Sequence, residues 1–428
     1  MLEPEVETRP WDEQRALDDE SFRAQLAYVL ERSPFYRENL AGCGTVALTD
    51  IAELPLTEKA DLKETVTDEN PFGAHLAAAP DEIVRIYSTS GTTGTPSFIP
   101  LTAEDRNNWI TGSARSYAAS GLSRGERLVS TYNAGPFVAG AALEAFDRIG
   151  VTHVPVGSGN SERLVRAIDA LGPDAVVLTP SYAAHLLEWA EERGSDLRGS
   201  SVTRVLVAGE PGGGEEAFRA RLEEGWGATV TEAMGIGDIG PSLWGECGEQ
   251  DGMHLGARGF VHAELIEPDS GEALPLEDGS AGELVLTHLR HRAAPLVRFR
   301  TRDHVSVRTA PCPCGRTGPR IRCIGRTDDM LIVRGVNVFP SAVREVVSAF
   351  APAVSGNILV RPQSRGVKQE PPLPVVVELA RGGGDDSALA DSIRERLRSA
   401  LLVQASVELV PWGTLQRSEY KSTLVEGA

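Results

Sequence analysis

The chain has 428 residues and a mass of 45.8 kDa, long enough for two or three domains at roughly 100–200 residues each, which excludes a small disulfide-stapled scaffold. With 41% hydrophobic and 24% charged residues, and glycine and proline scattered without period, it is neither collagen-like nor disordered. A net charge of −19 repels phosphate backbones and anionic lipid, so neither nucleic acid nor a membrane surface is an expected partner.

The first seven residues, Met1 to Glu7, have no basic region and no apolar run, so they do not read as a secretion signal. No apolar stretch approaches the ~18 residues of a membrane span, and the expected location is cytoplasmic. From Val84 to Val230 short apolar runs alternate with amphipathic stretches. The runs Val84–Tyr87, Arg127–Ser130, Ala175–Leu178 and Arg204–Val207 predict βα units and a covered, largely parallel sheet. Between Val261 and Arg308 the pattern changes to strands with turn signals, at Val261–Leu265, Glu283–Leu286 and Leu296–Phe299, which predicts an antiparallel β subdomain. Beyond Gly325 come a strand pair around Met330 to Val338, a helix from Ser341, a strand at Val375–Leu379 and a helix over Ser387–Leu402. The expected fold class is α/β: a large N-terminal α/β region with a β subdomain over residues 1–325, and a small C-terminal α+β domain over 326–428.

Two motifs carry chemistry. The first is Cys247-x6-His254 together with Cys312-Pro313-Cys314-Gly315. Three thiols and one imidazole make a complete tetrahedral zinc set with no position open for a catalytic water, so a structural Zn2+ is expected. His304 or Cys323 could replace one of the four. The second is Tyr87-Ser88-Thr89-Ser90-Gly91-Thr92-Thr93-Gly94-Thr95-Pro96, between two apolar runs. Its glycines let backbone N–H groups face an anion and its hydroxyls add donors without charge, the means to cradle a polyphosphate. It is not a Walker A loop, because no Gly-Lys-Ser/Thr follows the glycines. Lysine is also scarce: only Lys59, Lys63, Lys368 and Lys421 among 42 basic residues. A lysine kept against that bias is a candidate for chemistry.

This loop matches the phosphate loop of the adenylate-forming superfamily, and further motifs follow in that family's order. They are Ala208-Gly209-Glu210-Pro211-Gly212, Met234-Gly235-Ile236-Gly237-Asp238, Arg298-Phe299-Arg300-Thr301-Arg302-Asp303, Gly325-Arg326-Thr327-Asp328-Asp329-Met330, Arg334-Gly335-Val336-Asn337 and the closing Arg417-Ser418-Glu419-Tyr420-Lys421. Over nearly its whole length the chain resembles the phenylacetate–CoA ligase branch.

The resemblance implies ATP-dependent activation of an aryl or arylacetic acid to an acyl-adenylate, then transfer to CoA. It implies that Ser90, Gly91, Thr92, Thr93 and Gly94 cradle phosphate and that Gly209, Glu210, Pro211, Met234 and Gly235 line the adenine side. Asp303 would hold the ribose hydroxyls, with Arg326 beside it. Asp238 would hold Mg2+ and Lys421 would bridge the carboxylate and α-phosphate. It further implies a hinge at Asp328, a CoA-side loop at Gly335, and Tyr132 and Phe137 in the wall of the acid pocket. Similar Cys and His positions bind structural zinc in some members. The partners so implied are a small aromatic acid, ATP and CoA, and a homodimer is compatible with them. Thr95, Met234 and Gly237 depart from the family pattern. The lost π-face and hydroxyl weaken ATP binding by about 1–3 kcal/mol. The alternatives are transfer of the adenylate to an amine or hydroxyl, or a catalytically silent member.

Overall fold

The computed structural model describes residues 1–44, 46–89, 97–132, 135, 138–364, 366–383, 387–417 and 423–426. Five parallel strands form one half of a 12-stranded sheet, in the order Thr152–Pro155, Arg127–Ser130, Ala175–Leu178, Arg204–Ala208, Thr229–Ile236. Ala175–Leu178 is buried at every position, the signature of a strand covered on both faces. Helices Ser161–Leu171, Pro180–Arg193 and Glu216–Trp226 supply one apolar cluster, around Leu186, Val205 and Trp226. Helices Ala103–Ala119 and Ala142–Ile149 supply a second, around Tyr117, Phe146 and Val177. Local sequence fixes their ends. Thr179 accepts from the Tyr182 amide ahead of Pro180 at the first helical position, and Gly194 closes that helix with φ +69°.

The antiparallel strands are a continuation of the same sheet. Gly240–Glu246 returns beside Thr229–Ile236, and Met253–Leu255, Arg320–Arg326, Phe299–Arg308, Ala281–His288 and Val261–Ile266 follow outward. Two expectations change. Val84–Tyr87 is outside the parallel sheet: Ile83–Ser88 pairs antiparallel with Phe98–Thr102 as a separate two-stranded hairpin, leaving Val84 and Ile86 about half exposed. Leu296–Arg298 precedes the strand, because Arg298 takes φ +48° and turns its guanidinium onto Glu264 and the backbone of Ala52 and Leu54.

The C-terminal part has its own core, in which helices Pro340–Ser348 and Ser387–Leu401 cover a sheet of Val354–Val360, Leu373–Leu379 and Ala405–Val410. It docks on the N-terminal part through buried Arg344, which donates to Pro211 O at 2.7 Å and pairs with Glu215 at 2.5 Å above the Phe218 ring. Among the described residues no helix is long and apolar enough to cross a membrane.

Candidate active site and metal centre

Ligands of open α/β sheets bind outside the carboxyl ends of the parallel strands, and the motif residues gather there. Gly209 follows the strand Arg204–Ala208 with φ +99°, a conformation that favours glycine. Glu210 accepts from the Ser181 amide at 2.8 Å, at the N-terminus of the neighbouring helix, and Pro211 lends its carbonyl to Arg344. Met234 is buried near the end of Thr229–Ile236. At Gly235 a Cβ would sit 1.9 Å from Pro241 O, so no side chain fits. At Gly237 a Cβ would lie 3.2 Å from Thr89 Cγ2, which puts this turn against the base of the phosphate-loop hairpin. Thr89 closes that base by donating to Ser97 O at 3.0 Å. Ser90, Gly91, Thr92, Thr93 and Gly94 lie outside the described residues, as do Phe137 and Lys421.

Asp238 is engaged: its Oδ2 accepts from Lys59 Nζ at 2.7 Å. Lys59 opens the short helix Lys59–Glu64, and the preceding Glu58 is held by Arg300 at 3.1 Å and by Arg302. This cation had been one of four scarce lysines with no motif around it. Asp303 lies on the strand Phe299–Arg308, where burial pushes its carboxyl up to about 6 against the pull of Arg326, 3.5 Å away. Arg326 also binds Asp328 through two bonds, of 2.9 and 2.7 Å, so Asp303, Arg326 and Asp328 form one chain of charges. Gly335, at φ +81°, lies in the tight turn between Leu331–Val333 and Val336–Val338 with open space around its Cα. Tyr132 stacks on Phe146 at 6.3 Å and is hydrogen-bonded to Tyr117.

Cys247, His254, Cys312 and Cys314 come together, although 65 residues separate Cys247 from Cys312. Their ligand atoms lie within 4.8 Å of one another, with Cys247 Sγ to Cys312 Sγ at 3.6 Å and Cys314 Sγ to His254 Nε2 at 3.4 Å. Tetrahedral bonds to zinc at ordinary lengths give about 3.8 Å between sulfurs and about 3.6 Å between sulfur and nitrogen, so the set fits that ion. Burial, with Arg316 and Arg320 nearby, pushes the His254 ring down to about 3, which leaves it neutral with a lone pair to offer. The N-terminal segment pins this knuckle: Arg316 binds Glu7 at 2.7 Å, and Thr317 N donates to Glu7 O at 3.2 Å.

A second buried pair had no signal in the sequence. Glu232 and Glu246 face each other across the seam between parallel and antiparallel strands, and the Glu232 amide donates to Glu246 Oε2 at 3.3 Å. Arg219 pairs with Glu246 at 2.6 Å, while burial and the Glu246 charge push Glu232 up to about 8.

Strand ends, a glycine turn and the base of a hairpin converging in this way define a nucleotide-binding enzyme with a separate C-terminal domain. The chain belongs to the AMP-binding enzyme family: the family profile matches residues 25–288, and that of the AMP-binding enzyme C-terminal domain matches 335–426. Within it, the chain is similar to phenylacetate-coenzyme A ligases. It is 36% identical to that of Thermus thermophilus, over 98% of this chain and 97% of the relative. With that of Escherichia coli it shares 33%, over 99% and 97%. Among solved structures, a 2-hydroxyisobutyryl-CoA ligase in the postadenylation state with 2-HIB-AMP superposes with a TM-score of 0.90 at 27% identity, covering 99% of this chain and 91% of its own. The same enzyme in its thioesterification state, with 2-HIB-AMP and CoA, gives 0.71 at 28% identity, covering 99% and 91%. The overall arrangement of the two parts here is therefore nearer to the first of these structures than to the second.

Proposed function

We propose that the protein joins an aromatic carboxylic acid to CoA in two steps. The acid attacks the α-phosphate of ATP, giving an acyl-adenylate and pyrophosphate. The CoA thiol then takes the acyl group, releasing AMP and giving the aryl-CoA thioester. What supports this reading is similarity along the full chain to phenylacetate-CoA ligases, combined with motif residues gathered at the strand ends.

In this reading residues 1–325 bind the nucleotide and acid, and residues 326–428 move about Asp328. Ser90 to Gly94 hold phosphate through backbone and hydroxyl donors. Asp303 and Arg326 take the ribose side, and the Gly209–Pro211 turn the adenine side. Lys421 supplies a compact cation where negative charge develops. Asp238 is the carboxylate offered to Mg2+, an ion that neutralises phosphate charge when it arrives with the nucleotide. Lys59, paired with Asp238 at 2.7 Å, offsets its charge. Zinc at Cys247, His254, Cys312 and Cys314 is structural. Tyr132 and Phe137 contribute to the acid pocket, and Gly335 lies in the loop that meets CoA after rotation.

Incubation with ATP, Mg2+ and a panel of aryl and arylacetic acids tests this, reading pyrophosphate first and product mass with and without CoA second. Pyrophosphate release with a thioester only when CoA is present is the expected result. An amide or ester from added amine or alcohol, with no thioester, would move the acceptor. No pyrophosphate from any acid would end the reading.

A further inference from the structure

The loop that carries Cys312 and Cys314 joins the strands Phe299–Arg308 and Arg320–Arg326 and contains neither helix nor strand. Its turn is closed by Gly315 N donating to Cys312 O at 3.0 Å. A loop with so little structure of its own is held by what packs on either side of it. On one side stand Cys247 and His254, across the metal position. On the other stands the N-terminal segment.

Glu7 makes that second contact. Its buried carboxylate accepts on Oε1 from the amides of Leu2 and Glu3, at 2.7 and 2.8 Å, and on Oε2 from Arg316 Nε at 2.7 Å, 309 residues away in sequence. One side chain therefore folds its own segment and grips the loop. Arg316 in turn reaches the Cys314 thiol through both its side chain and its amide. Around this link Glu7 O accepts from Thr317 N and from Arg258 Nη1, both at 3.2 Å, and Arg9 O accepts from Arg258 Nη2 at 2.6 Å and from the Thr317 hydroxyl. Gly318 lies so close to Trp11 that a Cβ there would come within 2.7 Å of the indole, and Arg258 covers the same ring at 5.2 Å.

These contacts fall where a metal centre needs support. Ligands keep their orientation through the groups that they bond in turn, and removing one such group costs about 10–100-fold in metal affinity. Three thiolates around one Zn2+ carry a net negative charge, and a guanidinium at Cys314 offsets it. His254, whose Nε2 faces Cys314, has its Nδ1 buried without a protein partner. With Glu7, Arg258, Arg316 and Thr317 it lines a cavity that has room for about one water. The N-terminal segment thus bounds the centre on the side of both ligands.

We infer that the N-terminal segment is the outer shell of the metal centre, with Glu7 the positioning residue that holds Arg316 on Cys314, so that metal binding and docking of this segment support each other. The inference rests on the structural zinc read at these four ligands and adds to it a distant segment on which the affinity depends. Coupling of this kind is reciprocal: whatever factor the docked segment adds to zinc affinity, bound zinc adds to docking.

Two measurements on the full chain test it. The first is zinc affinity, by competition with a chromogenic chelator, in the wild type, Glu7→Gln and Val205→Ala, a core variant in the parallel half of the sheet. Glu7→Gln is expected to bind zinc about 10–100-fold more weakly, and Val205→Ala to bind it as the wild type does even where its melting temperature falls as far. The second is hydrogen exchange of residues 2–11 in the wild type, with zinc and after its removal. Exchange there is expected to rise by a comparable factor on removal, while the strand Ala175–Leu178 stays protected. Wild-type affinity in Glu7→Gln overturns the inference, as does an equal loss in Val205→Ala, which would mark a general effect of stability. Unchanged exchange of residues 2–11 in metal-free protein overturns it too, and that arm decides alone should Glu7→Gln not fold. A wild type that binds no zinc ends the zinc reading itself, and the inference with it.

Discussion

The proposed zinc ligands sit in the antiparallel half of the sheet and on a knuckle that the N-terminal segment clamps, and their four ligand atoms lie within 4.8 Å of one another. The residues proposed for the adenylate side are spread along the chain from Ser90 to Lys421, and several of the described ones are engaged with protein partners: Asp238 with Lys59, Pro211 with Arg344, Arg326 with Asp328. A site meant to hold one ion permanently can be built closed on a rigid frame. One that must serve ATP and then CoA is better assembled from parts on different elements, whose charges pair with neighbouring side chains.

The sharpest way to break this contrast is at Lys421. Lys421→Ala is expected to lower acyl-adenylate formation by about 10²–10³-fold, the range for removing one preorganised transition-state donor. Thioester formation from chemically supplied adenylate should fall far less, because the C-terminal domain has by then rotated away. Rapid-quench assay of each half-reaction decides it, and equal losses in both would remove the lysine from the first step.

The rigid half predicts the converse. Cys312→Ser should release about one equivalent of zinc by metal analysis and cost about 4 kcal/mol or more of stability, the large end of single-substitution effects to which loss of a metal belongs. Relative rates among acids should stay unchanged. A variant that keeps its metal or its melting temperature would show that the cluster is not a zinc site.

What was legible in the sequence follows the same division. The knuckle could be read because Cys312 and Cys314 are local and because three thiols and one imidazole make a complete tetrahedral ligand set. The parallel strands could be read because full burial leaves continuous apolar runs such as Ala175–Leu178. Val84–Tyr87 misled, since an apolar run does not say whether a large sheet or a two-stranded hairpin will take it. Lys59 and Asp238 are 179 residues apart, and Arg344 and Pro211 are 133 apart. The first pair arises from packing within the N-terminal part and the second from how the two parts dock, and no local pattern announces either. The scarcity of lysine was a usable signal for Lys59, but it carried no partner.

Arg344 sharpens the comparison from the mobile side. Its guanidinium, buried at the junction, binds Pro211 O and Glu215 only while the C-terminal domain is docked as seen here. Charged hydrogen bonds of this kind contribute about 1.5 kcal/mol, so Arg344→Ala should slow adenylation about tenfold. With supplied adenylate, thioester formation should be unchanged or faster, because leaving the docked arrangement becomes easier. A loss confined to the thioester step would reverse the assignment of this contact.

The smallest expected effect is a change of slope, at the seam where the two halves of the sheet meet. Glu232 is on the last parallel strand and Glu246 on the first antiparallel one, and only Glu246 has a guanidinium in contact, that of Arg219. Burial and the neighbouring charge raise Glu232 to about 8, so near neutrality the folded protein keeps a proton there that the unfolded chain gives up at the ordinary carboxyl value. A raised folded value means that the stabilising contribution is complete below the ordinary carboxyl range and is lost as pH climbs through about 8. Stability should therefore decline between about pH 5 and 8 for this reason. Glu232→Gln, which keeps the shape beneath Gly213 and Gly214 and has no proton to lose, should flatten the decline by less than ~1.4 kcal/mol per pH unit, since the two carboxylates titrate as a pair. Melting temperatures of both proteins across that range provide the measurement. Parallel curves would mean that Glu232 is ionised in the fold and that the seam holds two charges instead of one.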